Sequence, residues 1–421
     1  MTGRRQERPR RYYGWWIAAS LAVTETVSWG ILYYGFSVFL VPMQAELGWS
    51  LATITGAFSL ALPVSGVCAP LVGRWLDRHG PRALMTCGSI VGVISMVGWS
   101  RVETVPALYV IWVGIGVSMS ATLYEPAFAT LARWFDRGRA RAFLVVTIAA
   151  GFASTIFLPL SGELVASRGW REALLILTAL LALTTVPLHA FVLRRSPEDL
   201  NLRVDGLTGA HTEARTERII PDRSLPPASV MREPSFWWLT GAFFLQTFAT
   251  IAVSIILIPY LTDRGDDPAY AAAVVGLIGA AQVVSRILST AFGARMSAII
   301  LTALVFALQA VALGILIFWQ SHTGIVAAVL LLGAGRGVVT LMRAQLVADL
   351  YGSTHFGAIN GTLALFLTGA GALAPVSAGI AYGVLGSYTP ILVGMAAFSL
   401  LAALVMLRVV HHPHVSGSVG A

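Results

Sequence analysis

The sequence is divided into twelve long apolar runs with short polar connections between them. Each run is long enough to cross a hydrocarbon core of ~30 Å, which takes ~20 residues of α-helix. None alternates polar and apolar residues as a barrel strand does, so all are predicted to be helices. The runs lie near residues 14–42, 51–73, 83–100, 105–132, 142–165, 171–193, 236–262, 268–293, 297–319, 323–347, 357–382 and 388–409.

The composition agrees with a polytopic membrane protein and excludes three other classes. Charged residues are 11 % of the 421 residues and hydrophobic residues 57 %, whereas a soluble domain has ~25 % charged residues to cover its surface. The chain is therefore not a soluble enzyme, a disordered protein or a nucleic-acid-binding protein. It contains no phosphate-binding loop, dinucleotide fingerprint or zinc-ligand spacing, so no cofactor is expected.

The arginines indicate how the predicted helices are oriented. The chain contains no lysine, so all 28 basic residues are arginines. Most lie in the connections of one side, whereas the other side holds only Arg101, Arg168, Arg171 and Arg264. Because positively charged connections stay in the cytoplasm, both termini are predicted to be cytoplasmic, in a cell inner membrane or plasma membrane. The net charge of +8 then reflects topology, and no nucleic acid is expected as a partner. Contact with anionic lipids of the bilayer is expected.

Tryptophans near the ends of the runs predict an aromatic belt at the two membrane interfaces. The predicted belt residues are Trp15, Trp16, Trp49, Trp75, Trp99, Trp134, Trp170, Trp237, Trp238 and Trp319.

One long polar stretch, 194–235, separates six runs from the other six. It is predicted to be a cytoplasmic linker. A weak sequence repeat relates the two halves of the chain, since Leu40-Val41-Pro42 has a counterpart in Leu257-Ile258-Pro259. The predicted domains are a cytoplasmic tail at 1–13, a six-helix bundle at 14–193, the linker, a second six-helix bundle at 236–409 and a cytoplasmic tail at 410–421. The chain is expected to be a monomer.

The connection after the second run carries a compact motif, Gly73-Arg74-Trp75-Leu76-Asp77-Arg78-His79-Gly80-Pro81-Arg82. It closely resembles the G-x-x-x-D-R-x-G-x-R signature of the major facilitator superfamily. That resemblance implies an all-α membrane fold of twelve helices in two six-helix bundles, working by alternating access with the substrate site between the bundles. It also implies a gating role for Gly73, Arg74, Asp77, Arg78, Gly80 and Arg82.

Physical reasons exist for these residue types. Glycine permits two helix ends to approach closely, and Asp77 can pair with the neighbouring arginines and latch the cytoplasmic helix ends. The alternative is a plain positively charged connection. In the corresponding connection after the eighth run, Ala294 replaces the signature aspartate, which weakens any second latch.

Shorter segments resemble one branch of that superfamily, the monocarboxylate transporters and the oxalate:formate antiporter. They are Tyr12-Tyr13-Gly14-Trp15-Trp16, residues 36–42 followed by 46–50, and residues 133–135 followed by 139–142. The resemblance implies a small organic anion as substrate. The chain departs from the branch at Gln282, where some members have an acid, and it lacks the first-helix lysine of the animal members.

Four charged residues lie inside the predicted membrane segments: Glu25, Glu125, Arg286 and Arg336. A charge in hydrocarbon costs at least ~2.5–3.5 kcal/mol, so each one calls for an explanation. Counting ~1.5 Å per residue from the helix ends puts Glu25 and Arg336 near the midplane. Arg286 and Glu125 fall nearer the cytoplasm.

The two arginines are candidate anion ligands. Arg286 is similar in position to the helix-eight arginine with which the branch holds a substrate carboxylate, and guanidinium matches carboxylate geometry. Gln282, one turn earlier, can add a hydrogen bond. The alternative for Arg286 is a structural bond to helix-end carbonyls. Arg336, between glycines, is either an anion ligand or a structural group paired with Glu25 or Glu125.

The two acids are candidate proton carriers. A low-dielectric environment favours the neutral form of a carboxyl group, so Glu25 is the preferred one. Glu125 is either a second carrier or a structural anchor of the inner gate. Hydroxyl or amide groups of Tyr33, Tyr34, Tyr124 and Asn360 are candidate substrate ligands, with plain packing as the alternative.

The sequence therefore predicts a secondary active transporter of a small organic anion, a monocarboxylate such as lactate or pyruvate, coupled to protons. Three alternatives stay open: a carboxylate antiporter, an efflux transporter of drug-like compounds, and a membrane sensor that binds without transport. An enzyme is not expected, because no Ser/His or His/Asp arrangement recurs near the midplane.

Overall fold

The computed structural model describes residues 12–206, 225–292 and 296–409, and over these residues it contains helices and no strands. We number the long helices in chain order. They are α1 (Gly14–Leu47), α2 (Leu51–His79), α3 (Pro81–Ser100), α4 (Val105–Trp134), α5 (Arg139–Arg168), α6 (Trp170–Val192), α7 (Pro234–Asp263), α8 (Pro268–Phe292), α9 (Ala298–Phe318), α10 (His322–Tyr351), α11 (Phe356–Leu385) and α12 (Thr389–Met406).

Among the described residues, eleven of these helices are long and apolar enough to cross a membrane. The twelfth, α8, is 25 residues long, and its described apolar stretch is Ala273–Ser289. The predicted all-helical membrane architecture is thus confirmed, with helix ends within a few residues of the predicted runs.

The chain forms two compact units. The first contains Met1–Arg223 together with Phe356–Gly361, the first turns of α11. The second contains Ser224–His355 and Thr362–Ala421. Parts of several predictions lie outside the described residues: the N-terminal arginines up to Arg11, linker residues 207–224, Ala294 and the tail at 410–421.

An aromatic core fills the first unit. Trp99 and Trp112 are fully buried with ring centroids 4.9 Å apart, and Phe36 packs edge-on to Trp112 at 4.9 Å. Phe36 also stacks on Phe58 at 4.7 Å. Such pairs add to the free energy gained by burying the rings themselves.

The predicted tryptophan belt is only partly correct. Trp15, Trp16, Trp75, Trp237, Trp238 and Trp319 are exposed, as residues that face lipid or its interface should be. Trp99, Trp134 and Trp170 are buried in the first unit. Position along a run predicts how deep in the membrane a residue lies, but not which face of the helix it lies on. These three tryptophans lie on the faces that pack inside the unit.

Three helices of the first unit, α1, α4 and α5, are irregular near their middle, α5 at Phe152. In α1, residues Trp29–Tyr34 form a π-helical segment. In α4, the helix is broken at Leu123, whose backbone is extended (φ −88°, ψ −162°), and it starts again at Tyr124. Pro126 lacks the N–H that would bond back across the break, so the sequence favours an interruption there.

The aromatic residues that precede α1 fasten it to two other helices. The hydroxyl of Tyr12 donates to the carbonyl of Trp134 at 2.7 Å, and that of Tyr13 donates to the carbonyl of Val192 at 2.9 Å. The segment that resembles the monocarboxylate transporter branch therefore joins the ends of α4 and α6.

In the second unit, glycines allow α10 to pack on the backbone of α8. A Cβ added at Gly333 would lie 2.7 Å from the carbonyl oxygen of Ile278, and one at Gly337 would lie 2.4 Å from that of Gln282. Any larger residue would force the helices apart. Arg336 is thereby held next to a tight helix crossing.

Candidate functional site

Glu25 lies in the middle of α1 and is completely buried. Neither of its carboxyl oxygens has a hydrogen-bond partner among the described residues, and the same is true of the indole N–H of Trp29, one turn later. Trp29 and Glu125 are the groups that act on it electrostatically. Glu25 is thus a carboxyl group held in an apolar setting.

Aromatic rings of the π-helical segment surround the same region. Trp29 lies 5.1 Å from Tyr33 and 5.1 Å from Tyr124, measured between ring centroids. Tyr33 also lies 5.2 Å from Tyr34. The sequence analysis predicted the three tyrosines as candidate ligands, and in the structure all three lie around Trp29. Trp29 itself was not predicted as a site residue.

Irregular segments at this place have a physical significance. π-Helical segments occur most often at functional sites, and broken helices mark binding sites in transporters because they expose backbone groups. The π-helical segment of α1 and the break in α4 meet where Trp29 contacts Tyr124. The sequence analysis missed the π-helical segment, and only Pro126 signals the break.

Glu125, in the first turn after the break in α4, is hydrogen-bonded to Asn360. The Asn360 side-chain amide donates to Glu125 Oε2, and the oxygen Oδ1 of the same amide is buried with no hydrogen-bond partner among the described residues. Sequence reasoning predicted both residues but not their contact, because they are 235 positions apart.

Arg286 on α8 is buried, with 6 % of its surface exposed. Gln282 lies one turn earlier and is half-buried. The i, i+4 spacing puts the amide and the guanidinium on one face of α8, as predicted. Arg336, on α10, donates from Nη1 to the hydroxyl of Ser254 at 3.0 Å.

The motif after α2 forms a close contact with the start of α11. Asp77 accepts hydrogen bonds from the backbone N–H of Gly357 at 3.0 Å and of Ala358 at 2.7 Å. The N-terminal end of a helix carries positive partial charge, so a carboxylate is favourable there. A Cβ at Gly73 would lie 1.9 Å from the carbonyl oxygen of Gly357, so glycine is required for this approach.

The residue that forms an ion pair with Asp77 lies outside the motif. Arg133 of α4 donates from Nη2 to the Asp77 carbonyl at 2.6 Å and lies 3.7 Å from its carboxylate. The side chains of Arg74, Arg78 and Arg82 are exposed. Gly80 has φ +81° and packs on Arg195, where a Cβ would lie 2.7 Å from that residue's own Cβ, so this glycine is also required.

Comparison with known proteins agrees with this architecture. The model of the Major Facilitator Superfamily matches residues 21–319. Monocarboxylate transporter 13 of Bos taurus is 25 % identical over 416 residues, which cover 97 % of this chain and 92 % of that protein. The oxalate:formate antiporter of Oxalobacter formigenes is 27 % identical over 253 residues, or 59 % of this chain and 56 % of that protein.

Solved structures agree at the level of the fold. The human organic anion transporter MFSD10 superposes with a TM-score of 0.71 at 16 % identity, covering 95 % of this chain and all of that one. The fucose:proton symporter FucP of E. coli gives 0.69 at 13 % identity, covering 94 % and 99 %. The chain therefore belongs to the major facilitator superfamily and is a multi-pass membrane transporter rather than an enzyme, as the sequence motif predicted.

Proposed function

We propose that the protein is a secondary active transporter of a small monocarboxylate, of the size of lactate or pyruvate, that works by alternating access. Its relatives are named as monocarboxylate transporters and as an oxalate:formate antiporter. The observation that carries the proposal is Arg286, a permanent cation buried to 6 % exposure on an apolar helix. Its planar guanidinium can hold a carboxylate through two parallel hydrogen bonds.

We propose further substrate ligands in addition to Arg286. Gln282 adds an amide on the face of α8 that carries Arg286, and Arg336 adds a second guanidinium in the same unit. Tyr33, Tyr34 and Tyr124 supply hydroxyl groups around Trp29. Asn360, bonded to Glu125, presents a carbonyl oxygen that has no other hydrogen bond among the described residues.

We assign proton coupling to Glu25, with Glu125 as its neighbour. A carboxyl group that is fully buried without hydrogen bonds is strongly disfavoured as an anion and tolerated as an acid. Binding and release of a proton at Glu25 would therefore be linked to access of water from one side or the other. This assignment supports symport.

Exchange of two carboxylates is the second candidate. The antiporter relative supports it, and so do the two arginines within the helices, buried Arg286 and half-buried Arg336, because two cations can neutralise a dicarboxylate. Exchange needs no net proton movement, so a pH gradient distinguishes the two modes.

The topology proposed with this function has twelve spans, both termini in the cytoplasm and the domain bounds 1–13, 14–193, 194–235, 236–409 and 410–421, in a cell inner membrane or plasma membrane. The contact of Asp77 with α11 supports a gating role for Gly73, Arg74, Asp77, Arg78, Gly80 and Arg82. We propose a monomer.

Uptake into sealed liposomes tests the function directly. Reconstituted protein is expected to accumulate labelled lactate or pyruvate when the outside is acidified, and Arg286→Gln is expected to abolish uptake, because one bidentate carboxylate pair is lost. The control is Arg168→Gln, which removes only an exposed ion pair with Glu172 and should leave uptake unchanged. Normal uptake by Arg286→Gln would remove Arg286 from the site.

A further inference from the structure

The first part of the linker, residues 194–206, packs against the first unit, and we call it the strap. The carbonyl oxygen of Arg194 accepts a hydrogen bond from the indole N–H of Trp134, at the end of α4, at 3.3 Å. Gly80, at the end of α2, packs on Arg195 of the strap. The strap therefore contacts the ends of both helices that carry the ion pair between Asp77 and Arg133.

Asp205, near the end of the strap, binds the connection between α4 and α5. Its carboxylate accepts hydrogen bonds from three successive backbone N–H groups, those of Asp136 at 3.2 Å, Arg137 at 2.7 Å and Gly138 at 3.2 Å. Successive N–H groups form a concavity that suits an anion, and the positive end of the α5 dipole lies at the next residue. Asp205 has φ +59°, a conformation that aspartate adopts more readily than most residues.

These contacts lie next to the arginine that pairs with Asp77. Arg133 precedes the connection bound by Asp205 by only a few residues, and Arg195 and Glu198 of the strap act on it electrostatically. Arg133 donates to the Asp77 carbonyl at 2.6 Å, and the Asp77 carboxylate accepts hydrogen bonds from the start of α11. A displacement of the end of α4 would therefore weaken the contact between α2 and α11 as well.

We propose that Asp205 is a positioning residue of the gate: by binding the connection between α4 and α5, it keeps Arg133 in place against Asp77. The inference rests on the proposed alternating access, in which the two units move relative to one another while the linker joins them. A linker that is anchored at Asp205 follows this motion only after residue 206, so the motion is not passed to the end of α4. The sequence analysis placed Asp205 in the linker and gave it no role.

Hydrogen exchange of the full chain without substrate, followed by mass spectrometry, tests this inference. Asp205→Gly removes the carboxylate but permits the same backbone conformation, so the amides of residues 136–138 should exchange about tenfold faster. The amides of Gly357 and Ala358, which donate to Asp77, should also exchange faster, because the ion pair is displaced. Asp205→Asn keeps one acceptor oxygen and should have a smaller effect at both places. The control is Asp199→Asn, a change of an exposed acid in the same strap, which should exchange as the wild type does.

A double variant separates a positioning role from a general loss of stability. Asp77→Asn already weakens the bonds to α11, so adding Asp205→Gly should increase the exchange of Gly357 and Ala358 little further, whereas independent effects would add. Additive effects, unchanged exchange at Gly357 and Ala358 in Asp205→Gly, or faster exchange throughout the chain would overturn the inference. Should Asp205→Gly be unstable, Asp205→Asn is compared in the same way. Because no substrate is present, failure of the carboxylate proposal would leave this result unaffected.

Discussion

Glu25 combines complete burial with an ionisable side chain. Its side chain is fully enclosed, and no described residue offers either oxygen a hydrogen bond. Burial of an unpaired carboxylate costs far more than burial of a neutral acid. This is why we assign the proposed proton coupling to Glu25.

Replacement of Glu25 by glutamine tests that role. Gln keeps the shape of the protonated side chain but cannot release a proton, so Glu25→Gln is expected to lose accumulation driven by an imposed pH gradient. Exchange of labelled for unlabelled substrate should continue, because binding and the conformational change remain possible. Both are measured in the same liposomes.

Glu163→Gln is the matched control, since Glu163 is an acid with an exposed side chain on α5. It should respond to the gradient as the wild type does. A gradient response that survives in Glu25→Gln would assign coupling to another group, with Glu125 the next to examine.

The contact between α2 and α11 depends on a glycine, an aspartate and an arginine. Gly73 allows the backbones of the two helices to approach closely. Asp77 accepts two hydrogen bonds from backbone N–H groups at the start of α11, and Arg133 offsets its buried negative charge. Charge-assisted bonds of this kind are about twice as strong as neutral ones. The contact can therefore hold one conformational state of α2 and α11 against another.

Asp77→Asn should change the maximal rate of transport more than the apparent affinity. One amide oxygen can replace only one of the two carboxylate acceptors, which shifts the equilibrium between states by about tenfold. Initial rates over a range of substrate concentrations separate the two quantities. Asp199→Asn, which removes an exposed carboxylate, is the control, and a loss of affinity at unchanged maximal rate would argue against a latch.

The helices could be predicted from the sequence, but the residue contacts between them could not. Hydropathy and run length are local properties, so the predicted ends agree with the structure within a few residues. The glycine of the motif was correctly linked to close packing. Asp77 was expected to pair with the neighbouring arginines of the motif, but its ion pair is with Arg133, 56 positions away. Likewise the π-helical segment at Trp29–Tyr34 has no local signature, because it depends on packing by other helices.

At the scale of the whole molecule, α8 decides the topology. It is 25 residues long and carries Arg286 within its described apolar stretch, Ala273–Ser289. If α8 crosses the membrane, the connection between α9 and α10 lies outside and the chain has twelve spans. If it does not, that connection is cytoplasmic, although arginine placement puts both termini and the linker on the cytoplasmic side.

Labelling of single cysteines in intact cells distinguishes these topologies. In a chain with Cys68→Ser and Cys87→Ser, the exposed sites Glu103, Glu198 and Gln320 can each be replaced by cysteine. A membrane-impermeant maleimide should label Glu103→Cys from outside and Glu198→Cys only after lysis. We expect Gln320→Cys to react like Glu103→Cys, because α8, with 25 residues, is long enough to cross the membrane. Labelling of Gln320→Cys only after lysis would mean that α8 stays on the outer side, and Arg286 would then lie outside the transport path.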